Sequence, residues 1–204
     1  MPKTQDLFVT RLYRAELAGA GKLNRDLEAA ALSLAHDDRA GLRWSEKHGY
    51  PGYTSYASRG DLAGQLPEFT RLEKSIARLA AAFARELHWE MRGLKPVCDS
   101  LWVNVMPEGG SHTSHLHPNS VLSGTYYVKV PEGAGPIVFE DPRLPMLMAA
   151  PPRKKSAPRQ FKVHVSETPK AGTLMLWESW LRHEVPLNRA EGHRISVSFN
   201  YCLG

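Results

Sequence analysis

Cysteine is nearly missing from this sequence: Cys98 and Cys202 are the only two among 204 residues. Two thiols cannot build a cysteine-ligated zinc site, and so few of them exclude a disulfide-stapled scaffold. Both are expected to be free, in a reducing compartment. Long apolar runs are missing as well, and nothing approaches the roughly 20 residues that cross a bilayer. The opening stretch MPKTQDLFVTRLYRAEL has no basic-then-apolar leader, which points to a cytoplasmic protein. There is no phosphate-binding glycine loop, no Ser/His/Asp order and no paired-carboxylate pattern. Internal repeats and low-complexity tracts are also lacking. What is present is ordinary globular composition, 42% hydrophobic and 23% charged, at a length suited to one domain over residues 1–204.

The formal net charge is +5, a weak preference for anionic partners. Much of the excess lies in PPRKKSAPRQFK (151–162), where Arg153, Lys154, Lys155, Arg159 and Lys162 stand without an acid. Its prolines argue for an exposed loop. Such a loop is either a solvated insertion or a lip that attracts an acidic or nucleic-acid substrate. Nucleic acid is the weaker expectation, because stacking aromatics are confined to Phe161.

The two halves of the chain read differently. LFVTRLYRAEL (7–17) has the alternation of a strand. NRDLEAAALSLAHDD (24–38) reads as a helix with Asn24 at its N-cap and Leu27, Ala31 and Leu34 on one stripe. The clearest helix covers 69–88, where Leu72, Ile76, Leu79, Phe83 and Leu87 recur at steps of three and four. Between these helices, 47–62 is a loop rich in Gly and Tyr. From about residue 97, short β-rich segments follow one another: CDSLWVNVM, SVLSGTYYVKV, GPIVFED, FKVHV, GTLMLWES, HEVPL and HRISVSFNYCL. The expected fold is α+β, a double-stranded β-helix (jelly roll) over 96–204 flanked by a mainly helical region, 1–95.

Chemistry concentrates in SHTSHLHPNS (111–120), which holds His112, His115 and His117. An oxygen-activating mononuclear iron site needs about three protein ligands on one face, with the other positions open. His115 and His117 point the same way if HLH is extended. His112 is an odd step from His115 and on a straight strand would face away, so it is placed in a loop near the entrance. His183, in ESWLRHEVPL, is the distant third candidate, on a strand that jelly-roll folding brings alongside. Asp141 and Glu184 are alternative oxygen donors, and His117 could instead stand behind the ligands. In HRISVSFNYCL, Arg194, Ser196, Ser198 and Asn200 alternate with Ile195, Val197, Phe199 and Tyr201. A face headed by Arg and lined with Ser suits a dicarboxylate, which a guanidinium grips with two prongs.

These segments, HLHPNSVLSGTYYV (115–128), GPIVFEDPR (135–143), GTLMLWESWLRHEVPLN (172–188) and RISVSFN (194–200), resemble the 2-oxoglutarate/iron(II)-dependent oxygenases. The resemblance is greatest to a bacterial and phage group distantly related to prolyl hydroxylases, and it covers roughly the C-terminal half. It implies iron(II) on His115, His117 and His183, with 2-oxoglutarate as cosubstrate gripped by Arg194 and Ser196. Asn104 and Tyr127 (or Tyr126) are implied as further cosubstrate contacts. The departure is His117, where most of the superfamily has Asp or Glu. The implied activity is hydroxylation of an unidentified small molecule or side chain, consuming dioxygen and giving succinate and carbon dioxide.

Two other classes compete with this reading. One is a cupin-like three-histidine metalloenzyme that does not use 2-oxoglutarate. The other is a non-catalytic module that docks an acidic partner through the basic loop. His112 and Trp180 are candidates for a substrate pocket, and Trp177 for the core. Tyr50, Tyr53 and Tyr56 either cap the barrel mouth or pack against it. His36, His48, His88, His164 and His193 have no ligand-like spacing.

Overall fold

The computed structural model describes residues 3–204. The first half runs β1 (Leu12–Glu16), α1 (Ala20–Asp37), α2 (Arg39–Lys47), β2 (Tyr53–Thr54), α3 (Leu62–Gln65) and α4 (Pro67–Glu86). The second half runs β3 (Pro96–Met106), β4 (His112–His115), β5 (Leu122–Lys129), β6 (Ile137–Glu140), β7 (His164–Glu167), β8 (Thr173–Glu178), β9 (His183–Val185) and β10 (Arg194–Leu203). A six-stranded sheet has the order β1-β8-β5-β10-β3-β2, and a four-stranded sheet the order β4-β9-β6-β7. Every pairing is antiparallel. From β3 onward the chain passes back and forth between the two sheets, which is the double-stranded β-helix expected from the segment spacing.

The period of two along each strand sorts its side chains between two cores. On β10, Ile195, Val197, Phe199 and Tyr201 are fully buried against the helices, together with Leu101, Val103 and Val105 of β3. Leu27 and Ala31 of α1 and Phe69, Leu72, Ile76 and Phe83 of α4 complete this outer core. The opposite faces look into the barrel. There Tyr127 of β5, Met175 and Trp177 of β8, and Ile137 and Phe139 of β6 form a second cluster. The helical layer therefore closes the large sheet from behind, and the inner face of that sheet is left to line a cavity.

Several local expectations are corrected. Helix α1 begins at Ala20 behind the left-handed Gly19 (φ 70°), so Asn24 lies inside the helix. Its side-chain oxygen instead accepts a hydrogen bond from the Tyr126 hydroxyl, joining helix to sheet. The strand read across 7–17 is confined to Leu12–Glu16, where β8 offers a partner. Upstream, Leu7, Phe8 and Val9 are exposed. Helix α4 starts two residues before Phe69, at Pro67, a residue suited to a first helical turn. The loop of 47–62 contains β2, which pairs with β3. Helix α2 follows a side-chain cap: Asp38 accepts from the Gly41 N–H at 3.2 Å and from the Tyr53 hydroxyl at 2.9 Å. Both cysteines are free. Among the described residues, no helix is long and apolar enough to cross a membrane.

Candidate metal and cosubstrate site

The three histidines separated in sequence meet where β4 ends and β9 begins. His115 stands directly opposite His183 in the β4–β9 ladder. His117 lies two residues past His115, where its backbone N–H donates to the Ser179 carbonyl at 3.0 Å. One nitrogen from each of His115, His117 and His183 falls within 4.8 Å of the others. Ring centroids are 4.3 Å apart for His115 and His183 and 5.4 Å for His117 and His183. Imidazole–metal bonds of about 2.0–2.1 Å can bridge such a group after small side-chain turns. Among the described residues this is the one His/Cys/Asp/Glu cluster with metal-holding geometry, and it contains no carboxylate.

The second nitrogens of His115 and His183 favour that use. His115 Nδ1 is 2.7 Å from the Thr113 carbonyl, and His183 Nδ1 is 3.0 Å from the Leu181 carbonyl. A carbonyl only accepts, so each Nδ1 carries the proton and each Nε2 keeps a bare lone pair. His117 Nδ1 is 3.5 Å from the Asn200 side-chain amide. Asn200 accepts from Ser123 Oγ at 2.8 Å, and Ser123 Oγ is 2.8 Å from Ser179 Oγ. His117 thus rests on a buried side-chain network, whereas the other two rest on backbone.

Burial holds these imidazoles neutral. Desolvation, with like-charge repulsion from neighbouring histidines, pushes His117 down to about 4 and His183 down to about 2. Desolvation also lowers His115. An unfolded histidine titrates near 6.5, so between roughly pH 6.5 and 4 the unfolded chain binds protons that the fold refuses. Stability of metal-stripped protein is therefore expected to rise with pH across this window and to fall on acidification. The denaturant midpoint in chelator at pH 5 should lie below that at pH 7; equal midpoints would contradict the burial argument.

Deeper in the same cavity lies Arg194, only 4% exposed, with no partner for its Nε among the described residues. Its guanidinium sits 5.1 Å over the Tyr127 ring. The Tyr127 hydroxyl and Trp177 Nε1 are likewise buried without partners, and both residues line the cavity. Unsatisfied buried donors are costly, and three around one cavity call for an acceptor-rich ligand. A dicarboxylate that reaches from the histidines to Arg194 fits that need. Ser196 lines the wall beside Arg194. Asn104 is held by its bond to Ser198 Oγ (3.0 Å) and accepts from the Tyr50 hydroxyl at 3.3 Å.

Most sequence-expected site residues converge here, with some corrections. His112 is on β4 rather than in a loop. The ladder shifts register between His112 and His115, which turns His112 onto the cavity side, stacked on His115 at 4.1 Å. Tyr127, not Tyr126, faces the cavity; Tyr126 faces α1. Trp180 is 44% exposed in the β8–β9 turn and is not among the lining residues. Trp177 belongs to the core as expected, yet its ring also meets His183 edge-on at 4.8 Å. Asp141 ends β6 in a turn and pairs with Arg143, away from ligand duty. Tyr50 lines the cavity and Tyr53 packs through Asp38, a separation the sequence left open. Trp102, Ser123 and Ser179 were not anticipated. The alternation of Ser123, Thr125 and Tyr127 on one face of β5 was the available signal.

The fold and the site together define a jelly-roll protein with a cluster of three histidines facing a buried arginine. Residues 100–200 match the family model described as "Putative 2OG-Fe(II) oxygenase". The matched segment is the one that carries His115, His117, His183 and Arg194. No curated protein matches it. Among solved structures it is similar to a prolyl-4-hydroxylase from Pseudomonas putida, at 17% identity and TM-score 0.61, covering 95% of this chain and 92% of that one. The viral collagen prolyl hydroxylase of Paramecium Bursaria Chlorella virus-1 gives 13% identity and TM-score 0.60, covering 100% and 98%. The epimerase SnoN of nogalamycin biosynthesis, in complex with Fe3+, alpha ketoglutarate and nogalamycin RO, gives 16% and 0.64, covering 95% and 79%. At such identities the likeness is one of fold. The chain spans 56% of a Burkholderia pseudomallei 2OG-Fe(II) oxygenase family member that it also matches.

Proposed function

We propose that this protein is an iron(II)- and 2-oxoglutarate-dependent oxygenase that hydroxylates a small molecule or a side chain. In this reading residues 1–204 work as one domain in the cytoplasm. The observation that carries the reading is Arg194, buried in the cavity that the three histidines close, with no partner for its Nε among the described residues. His115, His117 and His183 hold the metal. Arg194, Ser196, Asn104 and Tyr127 hold 2-oxoglutarate and keep water from it. Iron(II) and 2-oxoglutarate, when bound, supply dioxygen activation and the oxidative decarboxylation that releases succinate and carbon dioxide. His112 and Tyr50, packed edge-on at 5.4 Å, form the wall that a substrate would meet. Two relatives are named prolyl hydroxylases, and another is an epimerase in complex with nogalamycin RO. Both polypeptide and small-molecule substrates are therefore in view.

The reading is tested by calorimetry of 2-oxoglutarate on protein loaded anaerobically with iron(II), followed by succinate release in air. Failure to bind 2-oxoglutarate would sink it. A second reading, a three-histidine zinc hydrolase, is favoured by the missing carboxylate. Tight zinc with no 2-oxoglutarate binding would select it. The Asn200 contact yields a further expectation. Metal on His117 Nε2 puts the proton on Nδ1, so the Asn200 amide must turn its oxygen to that proton, and removing such an outer partner usually costs about ten- to a hundred-fold in metal affinity. Asn200→Leu should weaken metal binding about ten-fold while leaving the far-ultraviolet circular dichroism unchanged. Undiminished metal affinity would remove His117 from the ligand set.

A further inference from the structure

The chain between β6 and β7 leaves the small sheet at Asp141 and rejoins it at Val163, closed by a 2.7 Å bond from the Asp141 N–H to the Val163 carbonyl. It contains only two single-turn 3-10 segments, Leu144–Met146 and Arg159–Phe161. An excursion of this length within a compact fold is uncommon without a function. Its root is beside the histidines. Phe139 pairs with His183 across β6 and β9, and the Glu140 N–H donates to the Arg182 carbonyl at 3.0 Å. Asp141 therefore leaves the sheet about 7 Å along the strand from the residue opposite His183.

The charge on this excursion is left open. Arg143 is paired with Asp141, and Arg159 with Glu167. Arg153, Lys154, Lys155 and Lys162 are all exposed and have no ion pair among the described residues. Like charges this close repel one another, and an anion spanning them relieves that repulsion. The same excursion exposes apolar side chains: Met146 is 70% exposed, Met148 92% and Phe161 44%. Trp180, in the turn leading to His183, is 44% exposed at the same end of the sheet. A nucleic acid would need a row of aromatics on which to stack, and the excursion offers Phe161 alone. Methionines beside cations suit a polypeptide, because their flexible, polarisable side chains adapt to apolar neighbours.

We infer that the 141–163 excursion is a docking surface for an acidic, extended segment of a polypeptide substrate, which it holds next to the histidine cluster. The inference rests on the oxygenase reading only for what is done to the held segment. Three fluorescein-labelled probes of equal length test it by anisotropy: a Glu-rich peptide with interspersed Leu, the same peptide with Gln for Glu, and single-stranded oligo-dT. One variant replaces Arg153, Lys154, Lys155 and Lys162 by Gln. A control variant removes the same number of charges elsewhere, as Lys47, Lys74, Arg78 and Arg85→Gln, so that net charge is matched. The Glu-rich peptide should bind at least about ten-fold more tightly than its Gln form, in keeping with charge-assisted contacts. That preference should vanish in the loop variant and survive in the control. Equal effects of the two variants would overturn the inference, as would tighter binding of oligo-dT or no binding of any probe. Iron(II) and 2-oxoglutarate affinities, measured on the loop variant, should match the parent. Loss of peptide binding with intact cosubstrate binding thus separates this surface from the site. Peptide binding without 2-oxoglutarate binding would spare the surface and sink the oxygenase.

Discussion

Arg194→Ala is expected to lower 2-oxoglutarate affinity by about thirty-fold to several thousand-fold, the equivalent of about 2–5 kcal/mol for a truncated buried charge partner. The fold by itself carries an imbalance. The guanidinium is 4% exposed, and its Nε lacks a partner among the described residues. Its contact with the Tyr127 ring, at 5.1 Å, offsets only part of the cost of burying a charge. A carboxylate in the cavity would restore what burial removed, so affinity and burial cost are two faces of one arrangement. The variant has a second, opposite signature. Removing an under-satisfied buried charge should leave the melting temperature of ligand-free protein unchanged or raised, whereas loss of an ordinary core residue would lower it. Arg194→Lys should recover part of the affinity, because it restores charge without the two-pronged geometry. Calorimetry and thermal melts on the same preparations read both effects. Unchanged 2-oxoglutarate affinity in Arg194→Ala would reject the cosubstrate assignment and favour the three-histidine enzyme that works without it.

The sequence made this arginine legible because β10 is a full-length strand in the middle of the large sheet, paired on both sides. The pleat sends successive side chains to opposite faces, and a strand buried on both is expected to be apolar throughout, so polar residues along one face require an explanation. Helix α4 was equally plain, since its apolar residues must repeat at helical spacing to meet the sheet. What escaped notice is physically weaker in sequence. Strand β4 is HTSH, four polar residues paired only with β9, and no hydrophobic pattern announces it. Helix α2 carries only Leu42 and Trp44 as large apolar residues and depends on Asp38 at its cap. His112 was misplaced because a register shift breaks the rule of two on which its exclusion rested. The Asn200–Ser123–Ser179 network joins three strands or turns that only tertiary structure brings together.

His117 is where the sequence departs from the superfamily it resembles, and substitution there should move two affinities in opposite directions. His183→Ala and His117→Ala are each expected to reduce metal affinity by a factor of about a hundred or more. Structural metal sites bind with about 10–16 kcal/mol in total, so each of a few ligands carries several. His117→Asp is different. Aspartate is shorter, but the Asn200 amide stands 3.5 Å from the imidazole nitrogen it would replace and can donate to a carboxylate. The substitution also adds one negative charge beside a dication. A unit pair at 4 Å is worth about 4 kcal/mol at the effective dielectric of protein surfaces, before desolvation takes its share. Metal should therefore bind more tightly, by about ten-fold or more on this Coulomb estimate. The doubly negative 2-oxoglutarate should bind less tightly, because the centre it approaches has lost one positive charge. Competition with a fluorescent chelator measures the first affinity, and calorimetry at saturating manganese measures the second. If His117→Ala leaves metal affinity intact while His183→Ala abolishes it, His117 stands behind the ligands rather than among them. If both fall together and the aspartate variant shows the opposed shifts, the third imidazole occupies the carboxylate's place. In that case the site accepts a weaker hold on its metal in exchange for a stronger pull on an anionic cosubstrate.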